Sequence, residues 1–231
     1  MTRSRRNEVA GRFITLEGGE GTGKSTQAAR LAERLRACGV EAVLTREPGG
    51  TQGAEIIRRA VLSGRVKPLG TFAEALLMNA ARDDHLSQVI RPALDAGKWV
   101  VCDRFADSTR AYQGVLGGID DGLVRALEDA VVGGDWPDLT LFLDLDPEIG
   151  LARARAVTED DGQGGVDRFE QTELEEHRRL RAAFLDIALS APNRCHVIDA
   201  QGAPEEVEEA IWTVVEDKLP IPSDCKVGAD P

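Results

Sequence analysis

The 231-residue sequence predicts an α/β fold, a doubly wound sheet of five parallel strands flanked by helices. Short β-rich runs alternate with helical patterns, the runs are apolar enough to be covered on both faces, and no internal repeat or interdomain linker breaks the alternation. A composition of 42% apolar and 29% charged residues suits one globular domain with a full core.

The first run, Phe13–Glu17 (FITLE), leads straight into a glycine-rich loop. A helix follows, with Ala28, Leu31, Ala32 and Leu35 at i, i+3, i+4 and i+7 and Gly39 as its stop. Ala42–Thr45 (AVLT) is the second strand, and the turn-rich REPGGTQG comes after it. A long helical region starts at about Phe72, is interrupted near Pro92 and ends at Gly97. Trp99–Cys102, Leu139–Leu145 and Cys195–Asp199 are the third, fourth and fifth strands. The last helix places Val207, Ala210, Ile211, Val214 and Val215 on one face. The polar stretch TEDDGQGG, Thr158–Gly165, cannot pack and is expected as a mobile loop. The domain should span residues 12–219, with a lid over about 156–168 and frayed tails at 1–11 and 220–231.

A net charge of −12 argues against a nucleic-acid surface, which needs a basic stripe, but a few local arginines can still hold a phosphate. Cys38, Cys102, Cys195 and Cys225 are scattered, with no Cys-x-x-Cys and no adjoining histidine pair, so reduced thiols are expected and neither a disulfide nor a zinc site. Cys102, in an apolar strand, reads as a small buried hydrophobe. His85, His177 and His196 show no triad or metal spacing and are expected at the surface or satisfied in the core. No apolar run approaches the ~20 residues that span a bilayer, and the basic start has no apolar stretch of a secretory signal behind it. A cytoplasmic protein is expected.

The loop Glu17–Thr26 reads EGGEGTGKST and satisfies G-x-x-x-x-G-K-[ST]. Gly18, Gly19, Gly21 and Gly23 let the backbone wrap a polyphosphate, with Glu20, Thr22 and Thr26 in the same cradle. Lys24 would reach the β- and γ-phosphates of ATP, and Ser25 would coordinate Mg²⁺. The chain has no Asn-Lys or Thr-Lys of a guanine-binding switch. Where a hydrolytic motor carries a glutamate after its strand-end aspartate, this chain has Arg104 after Asp103, which suits a second anion and so transfer between two phosphates.

Strand ends on one edge of a parallel sheet collect ligands. Here these carry TREPGGTQ after strand two and DRFADSTRAYQG after strand three, with LLMNAAR on the long helix nearby. Together with EGGEGTGKST and PDLTLFLDLDPEIGLARA, these segments resemble the bacterial-type thymidylate kinase family over about Phe13 to Lys218. The resemblance implies a P-loop nucleoside-monophosphate-kinase fold, usually homodimeric, that moves the γ-phosphoryl of ATP onto dTMP in the route to dTTP, with Mg²⁺. It implies that Asp103 holds the Mg²⁺–water shell and that Arg104 and Arg46 clamp the acceptor phosphate. Arg82 would bond the thymine edge, assisted by Thr109 and Gln113. Tyr112 would pack on the deoxyribose, and Glu20 would accept a hydrogen bond from the 3′-hydroxyl. Glu47 is expected to orient its loop.

Two positions depart from the family pattern. Met78 stands where a stacking phenylalanine is usual. Residues Ala156 to Asp167 contain no basic residue, so the lid-arginine role falls to Arg153, Arg155 or Arg168. Two alternatives stay open at this point, a kinase of the same fold acting on dUMP or a modified pyrimidine deoxynucleotide, and a catalytically weak nucleotide-binding regulator.

Overall fold

The structure, a computed structural model, describes residues 11–160, 174–222 and 225. In chain order the first half comprises β1 (Phe13–Glu17), α1 (Lys24–Ala37), β2 (Ala42–Arg46), α2 (Gln52–Leu62), α3 (Thr71–His85), α4 (Arg91–Asp95) and β3 (Trp99–Asp103). The second half comprises α5 (Ala106–Thr109), α6 (Asp121–Val131), β4 (Leu139–Asp144), α7 (Pro147–Asp160), α8 (Leu174–Ser190), β5 (Cys195–Asp199) and α9 (Pro204–Lys218).

The strands form one parallel sheet in the order β2-β3-β1-β4-β5. β1 lies at the centre, with Phe13 opposite Val100 of β3 and Ile14 opposite Leu139 of β4. Every residue of β1 is buried, as a strand covered on both faces requires. Its side chains alternate between two cores. Ile14 and Leu16 pack with Leu31 and Leu35 of α1 and with Ile211 and Trp212 of α9, while Phe13 packs on the other face with Leu86, Ile90 and Phe105. A third cluster joins Phe142 of β4 to Leu180 and Phe184 of α8. This arrangement brings the carboxyl ends of β1, β2 and β3, and the loops that follow them, to one edge.

The strands fall where the sequence places them, within one residue at each end. The helices hold more surprises. α2 begins directly after GG, because the Thr51 hydroxyl accepts the Ala54 N–H at 3.0 Å and caps it. The long helical region breaks earlier than expected: Leu86–Ile90 is a π-helical stretch, and Pro92 sits harmlessly in the first turn of α4. On α9, Ala210 is exposed and Trp212 takes the inward place beside Val207, Ile211 and Val215. α7 continues to Asp160, into the stretch expected as a loop; residues 161–173 lie outside the described residues.

The cysteine expectation is corrected. Cys38, the C-cap of α1, is disulfide-bonded to Cys225, with the Cα atoms 5.1 Å apart. The pair is separated by 187 residues, so only the packing of the chain end beneath α1 brings it together. Cys225 belongs to the core and the partly buried Ile221 packs against it, both within the expected C-terminal tail, and Gly11 at the other end is buried. Cys102 and Cys195 are free and buried, as expected of Cys102. No helix among the described residues is long and apolar enough to cross a membrane.

Candidate active site

β1 delivers the chain into the phosphate loop. Gly18, Gly21 and Gly23 adopt φ of 139°, 67° and 86°, backbone that a side chain would strain. Gly23 is the N-cap of α1 and turns that helix's first N–H groups toward the loop; its first turn carries no acidic residue. Lys24 closes the loop on itself, donating from Nζ to the Gly19 carbonyl at 2.5 Å and to Thr22 Oγ1 at 3.3 Å. Burial, then the charge of Arg104, brings its ammonium down to about 8, against Glu20, Asp103 and Glu17, which favour the charged form.

Ser25, next along α1, donates its hydroxyl to Asp103 Oδ2 at the end of β3. The other carboxylate oxygen, Asp103 Oδ1, is buried with no hydrogen-bond partner. A hard divalent cation takes oxygen ligands and keeps several waters, so a hydroxyl, a carboxylate and an orphaned oxygen at the helix start are a donor set that fits one.

Arg104 follows Asp103 with φ 70°, a positive value found for no other non-glycine residue among those described. A conformation of this kind costs ~1–3 kcal/mol and persists where the surroundings impose it. Its guanidinium reaches back across the loop, with Nη1 donating to the Gly18 carbonyl at 3.0 Å and to Ser108 Oγ at 3.3 Å, and Nη2 donating to Glu20 Oε1 at 3.0 Å. The Tyr112 hydroxyl donates to the same Glu20 oxygen at 2.7 Å, and its ring lies 5.2 Å from the guanidinium carbon. Burial raises the Glu20 carboxyl, but Arg104, Lys24 and the Tyr112 hydroxyl outweigh it and hold the group down at about 2. Glu20 is therefore ionised. Both bonds go to Oε1, and no donor among the described residues meets Oε2.

A deeper wall is built around Arg82. Nε donates to Glu47 at 2.8 Å, Nη1 to Asn79 at 3.3 Å, and Nη2 to the Phe105 carbonyl and Thr109 Oγ1, both at 3.1 Å. One Nη1 hydrogen of the five guanidinium donors remains. Glu47 also meets His85 Nδ1 at 3.1 Å, and His85 Nε2 meets Thr45 Oγ1 at 2.7 Å, so this histidine is a satisfied core residue and Glu47 a structural partner. Gln113 spends its Nε2 on buried Glu74 at 2.9 Å. Arg46 is exposed and rests on Glu55 at 3.1 Å.

These groups border one cleft of about 1020 Å³, at the upper end of the ~300–1,000 Å³ usual for small-molecule sites. Glu20 to Thr26, Arg46, Met78, Arg82, Asp103, Arg104, Thr109, Tyr112, Gln113 and Arg153 all line it.

The family model described as "Thymidylate kinase" matches residues 16–211. The chain belongs to the thymidylate kinase family. It is 54% identical over 214 residues to a thymidylate kinase of Bradyrhizobium diazoefficiens, covering 93% of this chain and 92% of that protein. A thymidylate kinase of Nitrobacter hamburgensis is 56% identical over 211 residues, covering 91% and 90%. The crystal structure of thymidylate kinase from Ehrlichia chaffeensis superposes with a TM-score of 0.70 at 36% identity, covering 89% of this chain and 99% of that one.

Within this thymidylate kinase family member some expected site residues stand apart. Gly18 and Gly19 line the back of the loop, against Phe142 and Asp144, and not the cleft. Arg153 lines the cleft but binds the Ala200 and Gln201 carbonyls, each at 3.0 Å, so it ties α7 to the loop after β5. Arg155 is exposed and outside the lining, and Arg168 lies outside the described residues. Sequence reasoning missed the β5–α9 loop, Ala200 to Pro204, which forms part of the cleft wall. The strand-end rule that flagged β1, β2 and β3 applies to β5 as well and would have found it.

Proposed function

We propose that this chain transfers the γ-phosphoryl group of ATP to dTMP, giving ADP and dTDP, with Mg²⁺. One observation carries the proposal: a single cleft is lined by both the phosphate loop and Arg104, in a chain more than half identical to thymidylate kinases. The relatives weigh against a dUMP kinase or a regulator without activity.

The chemistry is mainly alignment and charge. The backbone of Gly21 to Ser25 and the start of α1 face the polyphosphate of ATP. Lys24, now resting on the Gly19 carbonyl, turns to the β- and γ-phosphates. Arg104 and Arg46 hold the phosphate of dTMP, whose oxygen attacks phosphorus in line, so no protein nucleophile is needed. Glu20 Oε2 accepts the 3′-hydroxyl, Tyr112 packs on the sugar, and Arg82, Thr109, Gln113 and Met78 bound the base. Ser25 and Asp103 would hold the cation, which would neutralise charge on the phosphates.

Leu69, Phe72, Leu76, Val115 and Leu123 are exposed on α3 and the elements packed beside it, which supports a homodimer with this face against a second copy. We place the protein in the cytoplasm. ADP release followed across a panel of nucleoside monophosphates tests the substrate: dTMP should be used far better than dUMP or ribonucleotides, and equal use of dUMP would overturn the choice of acceptor.

A further inference from the structure

Glu17, the last residue of β1, is fully buried beneath the phosphate loop, and the mechanism above gives it no task. Its two oxygens point to one place. Oε1 accepts the backbone N–H of Phe105 at 2.7 Å, and Oε2 accepts the Ser108 hydroxyl at 2.6 Å. Phe105 directly follows the positive-φ Arg104, whose own N–H is held by the Leu16 carbonyl at 2.9 Å. Ser108 Oγ in turn accepts from Arg104 Nη1 at 3.3 Å. An acid, a hydroxyl and a guanidinium thus form a relay that ends on Glu20.

An ionised acid is costly in this position. Burial, then the nearby Asp107 carboxylate, pushes the Glu17 carboxyl up to about 7, against Ser108, Arg104 and the Phe105 amide, which pull it down. The left-handed Arg104 is a second cost. Both converge on the same turn.

We infer that Glu17 is a positioning residue of the acceptor site, which holds the Arg104 turn through the Phe105 amide and the Ser108 hydroxyl and so sets where the Arg104 guanidinium meets Glu20 and the acceptor phosphate. This rests on the acceptor-site assignment of Arg104 made above. An apolar or neutral residue at Glu17 would leave the sheet intact and the guanidinium misplaced.

The test is steady-state kinetics on the full-length protein with ATP and dTMP. Glu17→Gln keeps the shape and an acceptor for the Phe105 amide, but it removes the charge that Glu17 carries above about pH 7 and turns an N–H toward Ser108 Oγ. The KM for dTMP should rise about tenfold or more, the order of one charge-assisted hydrogen bond, with the KM for ATP within about twofold of wild type. Ser108→Ala should act the same way. The double variant should lose no more than the worse single variant, because both act along one relay. Losses shared equally between ATP and dTMP, or losses that multiply in the double variant, would overturn the proposal. Should Glu17→Gln fail to fold, Ser108→Ala alone decides, since an unchanged dTMP KM there contradicts the relay. Wild-type protein that makes no dTDP would overturn the functional assignment and this inference together, whereas wild-type turnover with an unaffected Glu17→Gln enzyme overturns the inference alone.

Discussion

Arg104 Nη2 and Glu20 Oε1 form an ion pair at 3.0 Å, with 17% and 21% of their side chains exposed, between the turn after β3 and the middle of the phosphate loop. A carboxylate inside a loop built for anions would repel its ligand if it faced the donor phosphates. The Glu20 carboxylate instead meets Arg104 and Tyr112 through Oε1.

Glu20→Gln tests that arrangement. Arg104 and Tyr112 can still donate to the amide oxygen, so the variant should fold, and the loss falls on the acceptor. A hydrogen bond to a charged group is worth ~1.5–3 kcal/mol, so kcat/KM for dTMP should fall roughly 10- to 100-fold, and much less for a 3′-deoxy analogue. Equal losses for both nucleotides would assign Glu20 to the loop or the cation instead.

Arg82 and Met78 should respond differently. Arg82 and Glu47 are a pair with 3% and 4% of their side chains exposed, and removing one partner strands the other. Arg82→Ala should therefore cost ~3–5 kcal/mol of stability as well as acceptor binding, a fall in Tm of roughly 6–20 °C. Met78 lines the cleft without such ties. Met78→Phe should leave Tm nearly unchanged and improve dTMP affinity by a few-fold at most, since sulfur–aromatic and aromatic–aromatic contacts overlap at ~0.5–1.5 kcal/mol. Calorimetry beside kinetics separates the two. A stable Arg82→Ala protein would show that Glu47 does not depend on it.

The contrast between these residues shows what was legible in the sequence. The phosphate loop is a contiguous pattern, and strands such as FITLE and CHVID carry their own boundaries, so β1 and β5 were placed without error. Of the residues proposed for the acceptor, Arg46, Arg104, Thr109, Tyr112 and Gln113 lie in segments that follow strand ends, whereas Met78 and Arg82 lie on α3. What depends on pairing across the chain was not legible. Nothing local marks Arg82 as the partner of Glu47, Glu17 as the anchor of Ser108, or Cys38 as the partner of Cys225. α2 hid behind GGTQG because glycine reads as a break, while the cap that starts the helix is a single threonine hydroxyl. Trp212 displaced Ala210 from the inner face because the larger ring fills the space against α1, where Arg34 also lies over it at 4.4 Å.

The buried Glu17 gives a pH signature in stability. Its carboxyl is raised in the folded state from 4.5 to about 7, so the folded protein holds this proton more tightly. The stabilising contribution is complete below the unfolded value and is lost as pH rises through about 7. Wild type should therefore lose stability relative to Glu17→Gln between pH 4.5 and 7. A Tm difference between the two proteins that stays flat across that window would contradict the assignment.

The Cys38–Cys225 bond closes most of the chain into a loop. Its removal should release the chain end from the core, at a cost of ~2–4 kcal/mol. Purified, unfolded protein should react with thiol reagent at two cysteines before reduction and four after it. Reduction or Cys225→Ser should lower Tm without touching the KM for either nucleotide, because the cleft lining contains neither cysteine. Four reactive thiols in unreduced protein would show that the bond is not made.

The most direct test of the central claim follows the phosphoryl group itself. With ATP labelled at the γ-phosphate, Mg²⁺ and dTMP, the label should appear in dTDP, with Lys24→Ala as a folded control that transfers little, since its ammonium meets the charge of the moving group. Label appearing as inorganic phosphate at the same rate with or without dTMP would contradict the account, as would a folded Lys24→Ala protein that transfers as fast as wild type.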